Sequence, residues 1–371
     1  MKALRVYCLP LIKTCFFLTF CLLASHANAV DTALLDAGSI TGEGWKLEGV
    51  KFTVLGIDQK KPQLLLSAAR LTLPKLFNDF TLADIRCDDF IWDRDDLDCK
   101  QGKASVRSAH WQSPKTTFSF HLGAKKKWLK LGNTELAGSR LSAAIETDGT
   151  AWQCTFNVLN ISSQLVDKMA QTKSVNAERP TLKPGHLNLK GVISGHQTTV
   201  EQFDVSAEVE GLTDQTQDGK TVVEKLDLLT HWAGKKSKAN WYLHSETKMM
   251  GGALYVDPVY LEASLQPISL DAQGVWNTKT KVAHIQSFTY RHPDAGVLSG
   301  GGTAYYRDGI KIDRADVLLQ SNTLQKLLTT YLNPFFVESP FMGVTAVGDL
   351  QAKFSFVKQA LAETSIHLSK L

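Results

Sequence analysis

The chain has 371 residues, a formal net charge of +4 and a hydrophobic fraction of 43%. This length permits one large domain or two ordinary ones, with a sizeable core. Because the net charge is small, the composition argues against the concentrated positive field that nucleic-acid binding requires, and we predict no nucleic-acid partner.

The N-terminal segment has the features of a secretory signal. Lys2 and Arg5 precede an apolar run at 15–24, and small residues ending at Ala29 provide a cleavage site. The run is shorter than the roughly 20 residues of a transmembrane helix, which makes retention as an uncleaved anchor the weaker alternative. We therefore predict a signal peptide at 1–29 and a periplasmic mature protein, with membrane association as a further option.

Three cysteines lie in the predicted mature chain. Cys87 and Cys99 flank the polar turn at 93–96. Folding this region as a hairpin is expected to place the two cysteines opposite each other, at a separation that permits a bridge. We predict a Cys87–Cys99 disulfide, and two reduced, half-buried thiols are the alternative. Cys154 is expected to be a buried strand residue and not a nucleophile.

Short runs of alternating apolar and polar residues dominate the chain. Clear examples are 45–55, 117–122, 203–209 and 349–356. A period of two gives a strand one buried and one wet face, and the Asp-Gly turns between runs indicate hairpins instead of βαβ units. The pattern predicts a mainly β, antiparallel fold. A sandwich, a closed barrel and a curled sheet all remain compatible with it, and an outer-membrane barrel fits less well.

Two segments have helical patterning. One is a short amphipathic stretch at 162–170. The other, at 322–332, begins at the N-cap residue Asn322 and ends before Pro334.

A polar stretch at 171–184, which contains two prolines, is the best internal boundary. We predict two similar halves, each a run of strands with a helix toward its end. The halves are 30–175 and 176–371.

Motifs for chemistry are weak. The aspartates of the hairpin at 88–98 lack the glycine and the glutamate of a calcium loop, and neither HExxH nor CxxC occurs. The glycines at 300–302 lack the Lys-Ser/Thr pair of a phosphate loop. We predict no catalytic residue, no metal site and no cofactor. The basic runs at 125–127 and 235–238 are interpreted as solvated hairpin tips, with contact to anionic headgroups as the alternative.

Several short phrases resemble a known family. They are Gly-Trp-Lys-Leu-Glu-Gly-Val at 44–50, the cysteine hairpin followed by Lys-Gln-Gly-Lys-Ala at 100–104, Gly-Ala-Leu-Tyr-Val-Asp-Pro-Val-Tyr-Leu at 252–261, and Tyr-Leu-Asn-Pro-Phe-Phe at 331–336. Together they resemble bacterial AsmA-like proteins, and the YdbH-like branch in particular. The resemblance covers most of the mature chain. Family members commonly run longer, so we expect a short homologue, a truncated reading frame or one part of a split system.

The resemblance implies an elongated, curled antiparallel sheet that forms a β-groove with two short helices. Its apolar inner face would carry phospholipid acyl chains between the inner and outer membranes and support outer-membrane homeostasis, with a membrane-surface or envelope protein as partner. On the residues themselves, Phe90 with Trp92, and Phe118 with Phe120, each place two rings on one face, and we predict that these four face lipid. A structural protein of envelope assembly without lipid carriage is the alternative function, and an envelope enzyme is less favoured.

Overall fold

A computed structural model describes residues 31–370 except 43–44, 58, 60–61, 73–79, 94, 109–115, 137, 163–184, 217, 264, 307–308, 337–338 and 340–342. The predicted signal peptide, the polar stretch at 171–184 and most of the helix expected at 162–170 therefore lie outside the described residues. Ser162 is described, and it is the last residue of a strand.

The described residues are mainly β, as the alternation predicted. They form two compact units, one up to His110 and one from Trp111 to Leu371. Each unit is an antiparallel arrangement of strands.

The first unit contains six strands: β1, β2, β3 and β4 pair in sequence, and β6 pairs along one edge with β4 and with β5, which continues the line of β4. They are β1 Thr32–Gly42, β2 Trp45–Leu55, β3 Gln63–Thr72, β4 Phe80–Cys87, β5 Phe90–Asp93 and β6 Asp96–Ser108. Val54 lies opposite Leu64 on the neighbouring strand, and Leu64 lies opposite Cys87 on the next. All three are buried, so one face of this unit carries its core.

The disulfide links Cys87 and Cys99, whose Sγ atoms are 2.11 Å apart and whose Cα atoms are 6.0 Å apart. The expected register was wrong, because Cys99 lies opposite Phe90 while Cys87 lies opposite Gly102. β5 and β4 pair with β6 in one continuous hairpin register, because the turn places Asp93 opposite Asp96. The bridge therefore runs diagonally across this hairpin and does not connect two directly opposed residues.

The second unit contains fifteen strands, with sequential strands paired as hairpins. They are β7 Thr116–Leu122, β8 Lys126–Leu136, β9 Ser139–Asp148, β10 Ala151–Ser162, β11 His186–His196, β12 Thr199–Gln215, β13 Thr221–Ser237, β14 Asn240–Val256, β15 Val259–Ala263, β16 Ile268–Asn277, β17 Val282–His292, β18 Gly296–Tyr306, β19 Ile310–Ser321, β20 Asp349–Val357 and β21 Ala360–Ser369. β14 is shared: its first part pairs with β16 and its last part with β15.

The predicted boundary near residue 175 does not separate the two units. β10 and β11, which flank the polar stretch, pair directly from Ser162 opposite His186 to Ala151 opposite His196. Hydrogen bonding across this pair places both flanking strands in the second unit. The polar stretch therefore connects two paired strands, and the two units divide instead at His110 and Trp111.

One helical segment is described, between β19 and β20. It consists of helix α1 at Leu324–Leu327, a π-helical turn at Leu328–Leu332 and a 3-10 turn at Asn333–Phe336. The α-helical part is shorter than predicted, and Thr323 occupies the N-cap position in place of Asn322. The Thr329 hydroxyl donates to the carbonyls of Gln325 and Lys326, a local bond that competes with regular helix geometry.

Candidate functional site

The second unit carries one uninterrupted apolar row across its sheet. Residues that lie directly opposite one another on neighbouring strands share a face. From β7 to β21 this row reads Phe120, Leu129, Ile145, Cys154, Ile193, Phe203, Gly234, Leu243, Gly274, Ile285, Gly302, Ala315, Phe356 and Leu361. No charged side chain occurs in it. We call the face that this row defines the apolar face.

The apolar face is concave where the longest strands lie. Side chains from β12, β13, β14, β16 and β17 line one cavity of about 770 Å³ on this face. Prominent lining residues are Phe203, Trp232, Leu243, Leu270, Ile285 and Phe288. Trp232, Leu243 and Ile285 are each more than a third exposed. The predicted curl is present here, where these side chains form an apolar trough that is open to solvent.

Glycines shape the floor of this trough. Gly234 lies opposite Phe203, and a Cβ built on it would come within 2.3 Å of the Phe203 ring. Gly191 stands in the same relation to Phe156. An aromatic ring opposite a glycine covers the backbone at that cross-strand position. Each such pair places one ring where two facing side chains would occupy more of the groove.

The opposite face of the same strands is polar. His231 lies 3.0 Å from Asp204, and His244 lies 2.9 Å from Asp271, in each case between an imidazole nitrogen and a carboxylate oxygen. These pairs are exposed to solvent. The sheet thus has one polar face and one apolar face, as the alternation of polar and apolar residues along its strands predicts.

One end of the trough is closed. Leu226, Met249, Ala263 and Ile268 form a buried cluster, against which side chains of β12, β15 and β17 pack. β15 contacts the helical segment, whose Leu324 and Leu327 are also buried. At this end the apolar face therefore has a second layer.

A buried polar group lies beneath the helical segment. The Tyr331 hydroxyl is 2.6 Å from the Tyr290 hydroxyl and 2.6 Å from Nδ1 of His292, which is only 5% exposed. Burial lowers the pKa of His292, and the charge of Lys326 acts in the same direction. Burial also raises the pKa of Tyr331 well above its ordinary value. Both groups are therefore neutral near pH 7, and they tie the segment to β17.

The structure separates the four predicted lipid-facing rings. Phe118 and Phe120 lie on the apolar face with stacked rings, their centroids 6.1 Å apart. In the first unit, Trp92 is exposed, whereas Phe90 is 2% exposed and belongs to the core. Phe90 lies opposite the disulfide-bonded Cys99. Phe118 is also largely buried, at 9% exposed. Lipid contact by these four residues stays a prediction.

Sequence reasoning missed the residues that line the cavity. The predicted run at 203–209 falls in β12, one of the strands that line it, but the trough depends on which residues face one another across strands. The signal present in the sequence was a set of glycines, Gly234, Gly274 and Gly302, at apolar-face positions of alternating strands. Cys154 lies in the apolar row, and burial raises the pKa of its thiol, which disfavours the reactive thiolate.

Within the described ranges, no helix combines the length and apolar character needed to cross a membrane. The same residues include no group of three or more His, Cys, Asp or Glu side chains arranged to hold a metal ion. No family model, curated protein or solved structure matches the chain.

Proposed function

We propose that this chain is an exported envelope protein that binds phospholipid acyl chains on the apolar face and conducts them between the inner and outer membranes, in the manner of AsmA-like, YdbH-like β-groove proteins. The unbroken apolar row from Phe120 to Leu361 is the observation that carries this proposal. Because the row passes from strand to strand without a charged side chain, the apolar surface is continuous over the whole second unit.

The driving force is the removal of apolar surface from water. Trp232, Leu243 and Ile285 expose much of their surface on the concave side. Each CH₂ of an acyl chain that leaves water for such a surface contributes about 0.8 kcal/mol. This attraction is non-directional, which suits carriage of a chain better than recognition of one defined small molecule.

The proposed role is binding and carriage without catalysis. It also places the protein in the periplasm after signal cleavage, with a membrane-surface or envelope protein as partner. Support comes from the N-terminal sequence and the open apolar face.

Co-purifying lipid is the direct test. The purified protein is extracted with organic solvent, and the extract is analysed by mass spectrometry against a mock purification. We expect phospholipid in the protein extract only. An extract that matches the mock would overturn carriage and favour the structural alternative.

A matched pair of substitutions in β14 sharpens the test. Leu243 lines the trough and is 38% exposed. Its neighbour Tyr242 is 49% exposed, and its side chain points to the opposite face of the sheet. Leu243→Glu puts a charge where the chain would lie, which costs several kcal/mol to desolvate, so bound lipid should fall at least tenfold. Tyr242→Glu should retain the wild-type amount. Equal lipid in both variants would show that the apolar face is not the binding surface.

A further inference from the structure

Lysines surround the open end of the trough. The turns β11/β12 at 197–198, β13/β14 at 238–239 and β16/β17 at 278–281 all lie at the same end of their strands. The cavity residues Phe203, Leu243 and Ile285 lie only a few positions inside these turns. The turns therefore form the rim of the cavity, at the end opposite the closed cluster.

The rim is basic. Its lysines are Lys235, Lys236, Lys238, Lys279 and Lys281, of which Lys235 lies opposite Tyr242 and faces away from the cavity. Lys236 is half-buried and the others are exposed. Among the described residues none of these five has a carboxylate within ion-pair distance, and Glu201 is the one carboxylate within three positions of the three turns. The mouth of the cavity therefore carries a net positive charge.

Lys236 stands at the boundary between charge and apolar surface. It lies opposite Trp241, which lies opposite Trp276, so these three side chains share the concave side of the sheet. The Trp241 and Phe203 ring centroids are 5.5 Å apart. A lysine whose stem lies along apolar surface keeps its ammonium in water, and tryptophan favours a position between apolar and polar surroundings.

The other end of the same strands has mixed charge. Lys220 and Lys225 at the start of β13 are accompanied by Asp214, Asp218 and Glu224. Opposite charges in such proximity cancel much of each other's field. The basic character thus belongs to the open rim and not to both edges of the sheet.

We infer that the trough selects net-anionic phospholipids, with the acyl chain in the cavity and the phosphate at the lysine rim; this rests on the proposed function. Lysine ammonium groups bind phosphate as compact point charges. Each lysine near an anionic headgroup contributes about 1 kcal/mol, which corresponds to about fivefold in affinity.

The test compares two lipids with identical short acyl chains, phosphatidylglycerol and phosphatidylcholine, titrated by calorimetry below their micelle concentrations so that no bilayer is present. We expect phosphatidylglycerol to bind at least fivefold more tightly, with the preference weakening as salt screens the rim. Lys236→Gln with Lys238→Gln should lower the preference at least fivefold, because it removes two of the rim lysines. Lys220→Gln with Lys225→Gln removes the same charge from the other end of β13 and should preserve it.

Equal affinities for the two lipids in the wild-type protein would overturn the headgroup inference alone. Binding of neither lipid would overturn the proposed function and this inference with it. Inorganic phosphate is the third probe: if it binds as tightly as phosphatidylglycerol, the rim is a simple anion site and the inference fails.

Discussion

Met249 and Met250 offer a stringent test of the face assignment in β14. They are adjacent in sequence, yet Met249 is 5% exposed in the closed cluster and Met250 is 46% exposed. Met249 lies opposite Leu228 on one side and Ile268 on the other. Truncation of a buried methionine to alanine removes its transfer free energy and leaves a cavity, at a cost of about 2–5 kcal/mol.

We expect Met249→Ala to lower the free energy of unfolding by about 3 kcal/mol, because nearly the whole side chain is enclosed. Met250→Ala should change it by less than about 0.5 kcal/mol. With a denaturant slope of about 2 kcal/mol/M, the urea midpoint monitored by tryptophan fluorescence should fall by about 1.5 M for the first variant only. Similar shifts for both variants would refute the division of β14 into a covered and a wet face.

Three further outcomes follow from the same geometry. In the mature protein, alkylation under denaturing, non-reducing conditions should label Cys154 alone, and label on Cys87 or Cys99 would contradict the bridge. Tyr331→Phe should cost about 1–3 kcal/mol of unfolding free energy, since two buried groups lose a hydrogen-bond partner; an unchanged urea midpoint would count against that network. The folded-state pKa of His292 lies below its unfolded value of about 6.5, so its contribution to stability is present above that pH and declines as pH falls toward the folded pKa. The urea midpoints at pH 7.5 and pH 5.5 should differ less for His292→Gln than for the wild-type protein. An equal difference in the two proteins would exclude His292 as a source of the pH dependence.

The strands could be predicted because alternation is a local property. The runs at 203–209 and 349–356 fall inside β12 and β20. Register is not local, and a slip of one residue moves a strand's whole apolar set to the other face. The pairing of β10 with β11 shifts between Val158 and Ile161, and that of β11 with β12 shifts at Ser194 and Gly195. The apolar row depends on these shifts, and alternation alone does not reveal them.

β13 shows how a bulge defeats the pattern. A strict period of two places Val223 and Leu226 on opposite faces, yet both pack in the closed cluster. The register of β13 against β14 shifts between Glu224 and Asp227, and Lys225 has a φ of 46°. The additional residue reverses the phase of the strand. An alternation argument therefore assigns the wrong face to one part of this long strand.

The disulfide illustrates a similar limit. Short separation and an intervening polar turn were enough to pair Cys87 with Cys99, but not to give their relation in the sheet. The turn places Asp93 opposite Asp96, and the same register continues through β5 and β4, so Cys87 lies opposite Gly102. The hairpin itself was predictable, but the pairing of individual residues depends on where its turn is centred.

The decisive question for function is what covers the apolar face, and the two ends of the same strands answer it differently. At the closed end β14 continues beyond β16 and folds back as β15, and the segment beginning at Leu324 packs against it. At the open end, among the described residues, Leu243 and Ile285 have no such layer and remain in contact with water. Both ends have the same apolar alternation, so the covering element and not the strand pattern decides between core and groove. Continued exposure of large side chains on a concave surface carries a free-energy cost that a bound acyl chain would remove. That asymmetry, a sealed end opposite an open basic rim, favours an elongated guest with its charged end at the rim.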